Sequence, residues 1–110
     1  MKPVHPGAIL REVILKEMNL SITQAAKGLE ISRKQLSEIV NETASISAEM
    51  AVRLEQGFGV NAEFWLDLQK KYDVWKVQNS GRVLVQRFNL IQMPTHNILH
   101  KSTKSGAKFS

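Results

Sequence analysis

Cysteine is absent from the 110 residues, which removes disulfides, thiolate zinc sites and a cysteine nucleophile together. No apolar run approaches the roughly 20 residues that cross a bilayer. The first residues lack the basic-then-apolar layout of a secretory signal. A reducing, cytoplasmic setting without membrane contact is expected. Acidic side chains stop at Asp73, and residues 79–110 carry Arg82, Arg87, Lys101, Lys104 and Lys108 as their only charged groups. Their +5 equals the net charge of the whole chain, so residues 1–78 are neutral overall. Bulk charge therefore makes no case for nucleic acid in the body of the protein. The basic end either adds a sequence-independent pull toward phosphates or is a solvated terminus that touches nothing. No acid–base constellation gathers on one element, so no enzyme and no cofactor are expected. His96 and His100 stand four apart, but Pro94 and the surrounding Ser, Thr and Lys argue against a helix presenting both to a metal. They are read as exposed histidines, with no metal site.

What the chain does contain is helix chemistry. Its length suits one domain with a modest core, and 43% hydrophobic and 23% charged residues are ordinary for a globular protein. Two capping boxes stand close together, Ser21-Ile22-Thr23-Gln24 and Ser32-Arg33-Lys34-Gln35. In each, a Ser precedes a Gln by three residues, so two orphan backbone donors are satisfied reciprocally. Helices over 21–29 and 32–40 follow, separated by a tight bend, which is the layout of a helix-turn-helix. Before them, Pro6 suits a first turn, and Ile9, Leu10, Val13, Ile14 and Met18 recur at the spacing of one buried helical face. Asn19 ends that helix. Ser47 caps a fourth helix with Met50, Ala51, Leu54 and Phe58 inward, and Gly57 and Gly59 mark its exit.

Asn61 caps a fifth helix, predicted over 61–76. Phe64, Leu68, Tyr72 and Trp75 form one stripe on it, and Trp65, Leu66 and Val74 widen the stripe beyond a single face. A helix apolar on more than one side needs more than one neighbour. Trp65, Tyr72 and Trp75 are therefore candidates for a dimer or partner interface, with Phe64 and Leu68 closing the core. Residues 83–93 are apolar-rich and suit either a short strand or an amphipathic helix. Beyond Pro94 the composition is that of a mobile end. Two segments result: a helix-turn-helix domain over 1–78 and a basic C-terminal extension over 79–110.

In a helix-turn-helix the start of the second helix meets base edges in the major groove. Arg33, Lys34, Gln35 and Ser37 occupy that position. Arg and Lys can donate to guanine O6 and N7, and Gln can bond adenine at two points. Gln24 and Ser32 stand at the two helix starts, where phosphates meet backbone amides. Each has a plainer alternative: Gln24, Gln35 and Ser32 as caps only, and Arg33 and Lys34 as ordinary surface charges. Glu38 either accepts from cytosine N4 or is solvated.

The stretches His5-Pro6-Gly7-Ala8-Ile9-Leu10-Arg11-Glu12, Ile46-Ser47-Ala48-Glu49-Met50-Ala51-Val52-Arg53-Leu54 and Phe64-Trp65-Leu66-Asp67-Leu68-Gln69 carry a resemblance. Over residues 5–78 the chain resembles the HigA-type (VapI-like) antitoxins of the lambda-repressor-like Xre helix-turn-helix superfamily. The resemblance implies an all-α, five-helix lambda-repressor-like domain, here with a C-terminal extension. It implies a homodimer on a palindromic operator of double-stranded DNA, autorepression of the operon, and a RelE-like mRNA-cleaving toxin as partner. Carried onto this chain, the DNA-reading positions are Gln24, Ser32, Arg33, Lys34, Gln35 and Ser37, with phosphate contacts near Asn41 and Thr43. Glu30 stands where the family usually has the turn Gly, and Glu42 where Asn-Gly is common. Both bring negative charge toward the DNA-facing side. Two other readings stay open: a stand-alone regulator without a toxin, and an interaction module that has lost DNA binding.

Overall fold

Proline opens the first helix. In a computed structural model that describes residues 1–88, α1 (Pro6–Ile9) places Pro6 in its first turn, and the His5 ring caps it by accepting from the Gly7 amide at 2.9 Å. The helix runs on directly as a π-helical segment, Leu10–Leu15. That segment changes which side chains face inward. A regular spacing would bury Val13 and Met18 beside Leu10, yet these are 50% and 55% exposed. Leu15, five residues after Leu10, is buried instead. Bonding to the fifth residue widens each turn and rotates every later side chain away from the 3.6-residue register. Asn19, at φ 53°, ends the helix in the left-handed region.

The remaining helices start and stop where their caps dictate. They are α2 (Ile22–Leu29), α3 (Arg33–Val40), α4 (Ala48–Phe58) and α5 (Ala62–Ser80). Ser47 accepts from the Met50 amide, and Asn61 from the Glu63 amide. Gly59 leaves α4 at φ 78°, a conformation that costs glycine little. All five helices belong to one architecture with no strand among the described residues.

Leu10, Leu36, Leu54 and Trp65 are fully buried and meet from the first helix, α3, α4 and α5. Removing a side chain of this size from water stabilises a fold by about 1.5–3 kcal/mol. Trp65 is thus wholly inside the protomer, at 0% exposure, and has no surface to offer an interface; the expectation for it is corrected. Its neighbour Phe64 shows the converse correction. Expected to close the core, it lies 44% exposed and meets Trp65 edge-on, with centroids 5.6 Å apart. One step along the helix rotates a side chain by about 100°, so only one of the two adjacent rings can point inward.

Close approach of backbones fixes the first helix against α3. A Cβ placed on Gly7 would stand 1.8 Å from the carbonyl oxygen of Ile39. The buried Gln69 of α5 accepts from the Ile46 amide at 2.8 Å and so holds the loop before α4. Past Trp75 every residue of α5 is exposed, and the helix reaches Ser80 before Gly81 turns left-handed at φ 71°. Residues 82–88 form neither helix nor strand, so this part of the 83–93 stretch adopts neither expected form. Residues 89–93, Pro94, His96, His100 and the last three lysines lie outside the described residues. No helix among those described is long and apolar enough to cross a membrane.

Candidate nucleic-acid interface

Both capping boxes are formed. Ser21 accepts from the Gln24 amide at 3.0 Å while the Gln24 side chain accepts from the Ser21 amide at 2.9 Å. Ser32 and Gln35 repeat the exchange at 3.0 and 3.2 Å. Gln24, Ser32 and Gln35 therefore do cap, and their side-chain oxygens are engaged in doing so. The amide nitrogens of both glutamines have no partner among the described residues, which leaves them free as donors.

Between the boxes, Glu30 closes α2 in the left-handed conformation, φ 59° and ψ 44°. A non-glycine residue there costs about 1 kcal/mol or more. The turn is held from outside the motif. Arg53 of α4 donates through Nη1 to the carbonyl oxygens of Leu29 at 2.9 Å and Glu30 at 3.3 Å. Its Nε and Nη2 bond Glu49 at 3.2 and 2.9 Å, one turn earlier on α4. A second arginine acts in the same way on α3. Arg11 donates through Nη1 to the carbonyl oxygen of Val40 and reaches Glu42 at 3.5 Å. Each helix of the pair thus has its negative end covered by a guanidinium from a different helix, a favourable placement for a cation. Glu42, at φ 64°, is consequently a paired carboxylate and not a free charge beside α3. The Arg11 hydrogen bond also holds the Glu12 carboxyl below its ordinary range.

The positive ends differ in kind. The first turns of α4 and α5 carry Glu49 and Glu63, whereas those of α2 and α3 carry no acid. The start of α3 carries Arg33 and Lys34 instead, both exposed. A cation at a helix N-terminus is unfavourable by about 0.3–1 kcal/mol, so helix stability does not account for the pair. Arg33 donates through Nε to the Thr23 hydroxyl of α2 at 3.1 Å.

The structure brings Gln24, Ser32, Arg33, Lys34 and Gln35 together at one end of the two-helix unit. Asn41 and Thr43 lie at the other end of α3, about 12 Å away for eight residues. Asn41 donates to Ser37 Oγ at 3.3 Å, and Thr43 to the carbonyl oxygen of Glu38 at 3.1 Å. Ser37 sits between the two groups, half-buried.

A helix-turn-helix family model matches residues 10–65, which is the segment from the π-helical turn to Trp65. The chain belongs to this helix-turn-helix family. Virulence-associated protein I of Dichelobacter nodosus is 46% identical over 74 residues, covering 67% of this chain and 68% of that protein. The solved antitoxin GraA superposes with a TM-score of 0.74 at 36% identity, covering 80% of this chain and 99% of GraA. The Pseudomonas aeruginosa antitoxin HigA, solved with the higBA promoter, superposes with a TM-score of 0.70 at 38% identity, covering 72% and 86%.

Within this helix-turn-helix domain, sequence reasoning missed the residues that position α2 and α3. Arg53 and Glu49 stand four apart, a readable ion-pair spacing. Nothing local links Arg53 to a carbonyl 24 residues away, or Arg11 to one 29 residues away. His5 is likewise buried, with its ring edge-on to Tyr72 at 4.8 Å, a contact across 67 positions that nothing local announces.

Proposed function

We propose that this protein binds an operator in duplex DNA through the starts of α2 and α3, repressing its own operon as the antitoxin of a toxin–antitoxin pair. The observation that carries the reading is the acid-free, capped and basic N-terminal face of the two helices, beside two helices that each place a glutamate in the same position. Exposed amide dipoles and cations at such a face suit phosphate and guanine acceptors. The HigA neighbour solved with promoter DNA supports the same assignment. In this reading Arg33, Lys34 and Gln35 reach base edges, Gln24 and Ser32 reach phosphates, and Ser37, Asn41 and Thr43 line the flank of α3.

A homodimer would place two α3 helices in successive major grooves, about 34 Å apart on one face of a palindromic site. The far half of α5 is the surface for it. Tyr72 and Trp75 pack there with ring centroids 6.0 Å apart, next to the exposed Val74 and Val77. The partner silenced by the complex is a RelE-like, mRNA-cleaving toxin, and the setting is the cytoplasm.

The test is a fluorescence-anisotropy titration against the protein's own upstream DNA and a scrambled duplex at one fixed salt concentration. A preference of about 10³ or more for the upstream DNA supports specific operator binding. Equal, weak binding to both sinks the operator reading. Co-expression with the product of the adjacent gene addresses the partner. Co-elution with suppressed toxicity supports the antitoxin role, and a specific operator without a neighbouring toxin reduces the protein to a stand-alone regulator.

A further inference from the structure

We infer that Thr23 is a positioning residue for DNA reading: its hydroxyl sets the Arg33 guanidinium so that the outer fork faces one guanine. The inference rests on the operator reading above. Arg33 begins α3, and a free arginine there would sample many rotamers at a cost in binding entropy. The Thr23 hydroxyl, one residue into α2, accepts from Arg33 Nε at 3.1 Å. That bond uses the inner donor of the guanidinium. Nη1 and Nη2 have no partner among the described residues, and they form the flat two-point donor that matches guanine O6 and N7.

The contact ties the two capped helix starts together, because Thr23 lies inside the first box and Arg33 inside the second. It also leaves the threonine proton free to donate to a phosphate oxygen, so that backbone docking of α2 and base reading by α3 are set by one hydroxyl. Gln35 is less suited to such reading, since its side-chain oxygen is already shared between the Ser32 amide and hydroxyl at 3.2 and 3.4 Å. Of the two side chains that could make two-point base contacts, Arg33 is therefore the better placed.

The test measures binding of the full chain, and of its Thr23→Val, Thr23→Ser, Arg33→Ala and Thr23→Val/Arg33→Ala variants. The probes are the duplex upstream of its own coding sequence and a set of single-base-pair variants of it. Thermal unfolding runs in parallel: the exposed Thr23 variants are expected to leave the midpoint unchanged, and loss of the Arg33 cation from the helix start to leave it equal or slightly higher. Arg33→Ala is expected to abolish the preference for guanine at one position. Thr23→Val is expected to lower that same preference about tenfold, Thr23→Ser to keep it, and the double variant to be no worse in discrimination than Arg33→Ala. A wild-type protein without preference overturns the operator reading and this inference with it. A wild type that discriminates, with Thr23→Val discriminating equally well, overturns the inference alone. So does a Thr23→Val effect that persists undiminished when Arg33 is absent.

Discussion

Arg53 Nη1 donates to the carbonyl oxygen of Leu29 at 2.9 Å, joining the middle of α4 to the end of α2. The carbonyl belongs to the last turn of α2, where intrahelical partners run out. The same guanidinium is anchored by Glu49 through two bonds, so its orientation is fixed before the turn meets it. Removing it as Arg53→Ala leaves the part-buried Leu29 carbonyl without this donor. A loss of about 1.5–2 kcal/mol in urea unfolding is expected, at the low end for a hydrogen bond to a charged group. Arg53→Lys, which cannot bond Glu49 and the turn as a fork, should recover less than half of it. Equal stability of wild type and Arg53→Ala would show that the turn holds itself.

The second capping box separates folding from recognition. Gln35→Glu retains the Ser-x-x-Glu form of the box and places an acid in the first turn, where the helix dipole favours it. Unfolding midpoints should therefore stay equal or rise slightly. Operator affinity should fall at least about tenfold, because a carboxylate replaces a donor facing phosphates and base acceptors. Retained affinity in the anisotropy titration would remove the start of α3 from the interface.

Two glycines should respond in opposite directions to the same substitution. Gly7→Ala would press a methyl group against the Ile39 carbonyl, which lies 1.8 Å from that position and cannot move without displacing α3. A loss above about 3 kcal/mol, or failure to fold, is expected. Gly28, inside α2, has nothing within 4 Å of the same point. Gly28→Ala should stabilise the protein by about 0.5–1 kcal/mol, since alanine loses less backbone entropy in a helix. Thermal unfolding of the two variants beside wild type decides both.

How much of this was readable from the chain depends on how far apart the interacting groups lie. The boxes at Ser21 and Ser32 and the Ser47 and Asn61 caps involve residues two or three apart, and all of them form. Glu30, which only the family resemblance marked as standing at a turn glycine's position, does adopt the left-handed conformation. The π-helical segment defeated the periodicity: its bonding shifts the face from Val13 to Leu15, and composition alone does not register that shift. The choice between Phe64 and Trp65 depended on which side of α5 the core occupies, a tertiary fact. Arg11, Arg53 and His5 act across gaps that bring no sequence signature. The face beside α3 is accordingly less acidic than its residues suggest, because Glu42 arrives with Arg11 attached.

His5 gives the fold a dependence on pH. Burial lowers its pKa from the ordinary 6.5; the nearby Lys76 acts in the same direction, while Glu42, Asp73 and a bond with Ala44 oppose the shift without cancelling it. Its Nδ1 accepts from the Gly7 amide, and a protonated ring would present a donor there instead. The unfolded chain thus takes up the proton more readily than the folded one, so stability rises with pH. The His5 contribution should be complete above about pH 7.5, decline as pH falls through 6.5, and level off once the lowered folded value is passed. Urea midpoints of wild type measured at about pH 7.5 and about pH 5.5 should therefore differ. His5→Asn keeps a side-chain oxygen to cap α1 and removes the titrating group. It should be less stable at the higher pH, through the lost ring contact with Tyr72, and flatter between the two. A variant as steep as wild type would assign the dependence to the carboxylates.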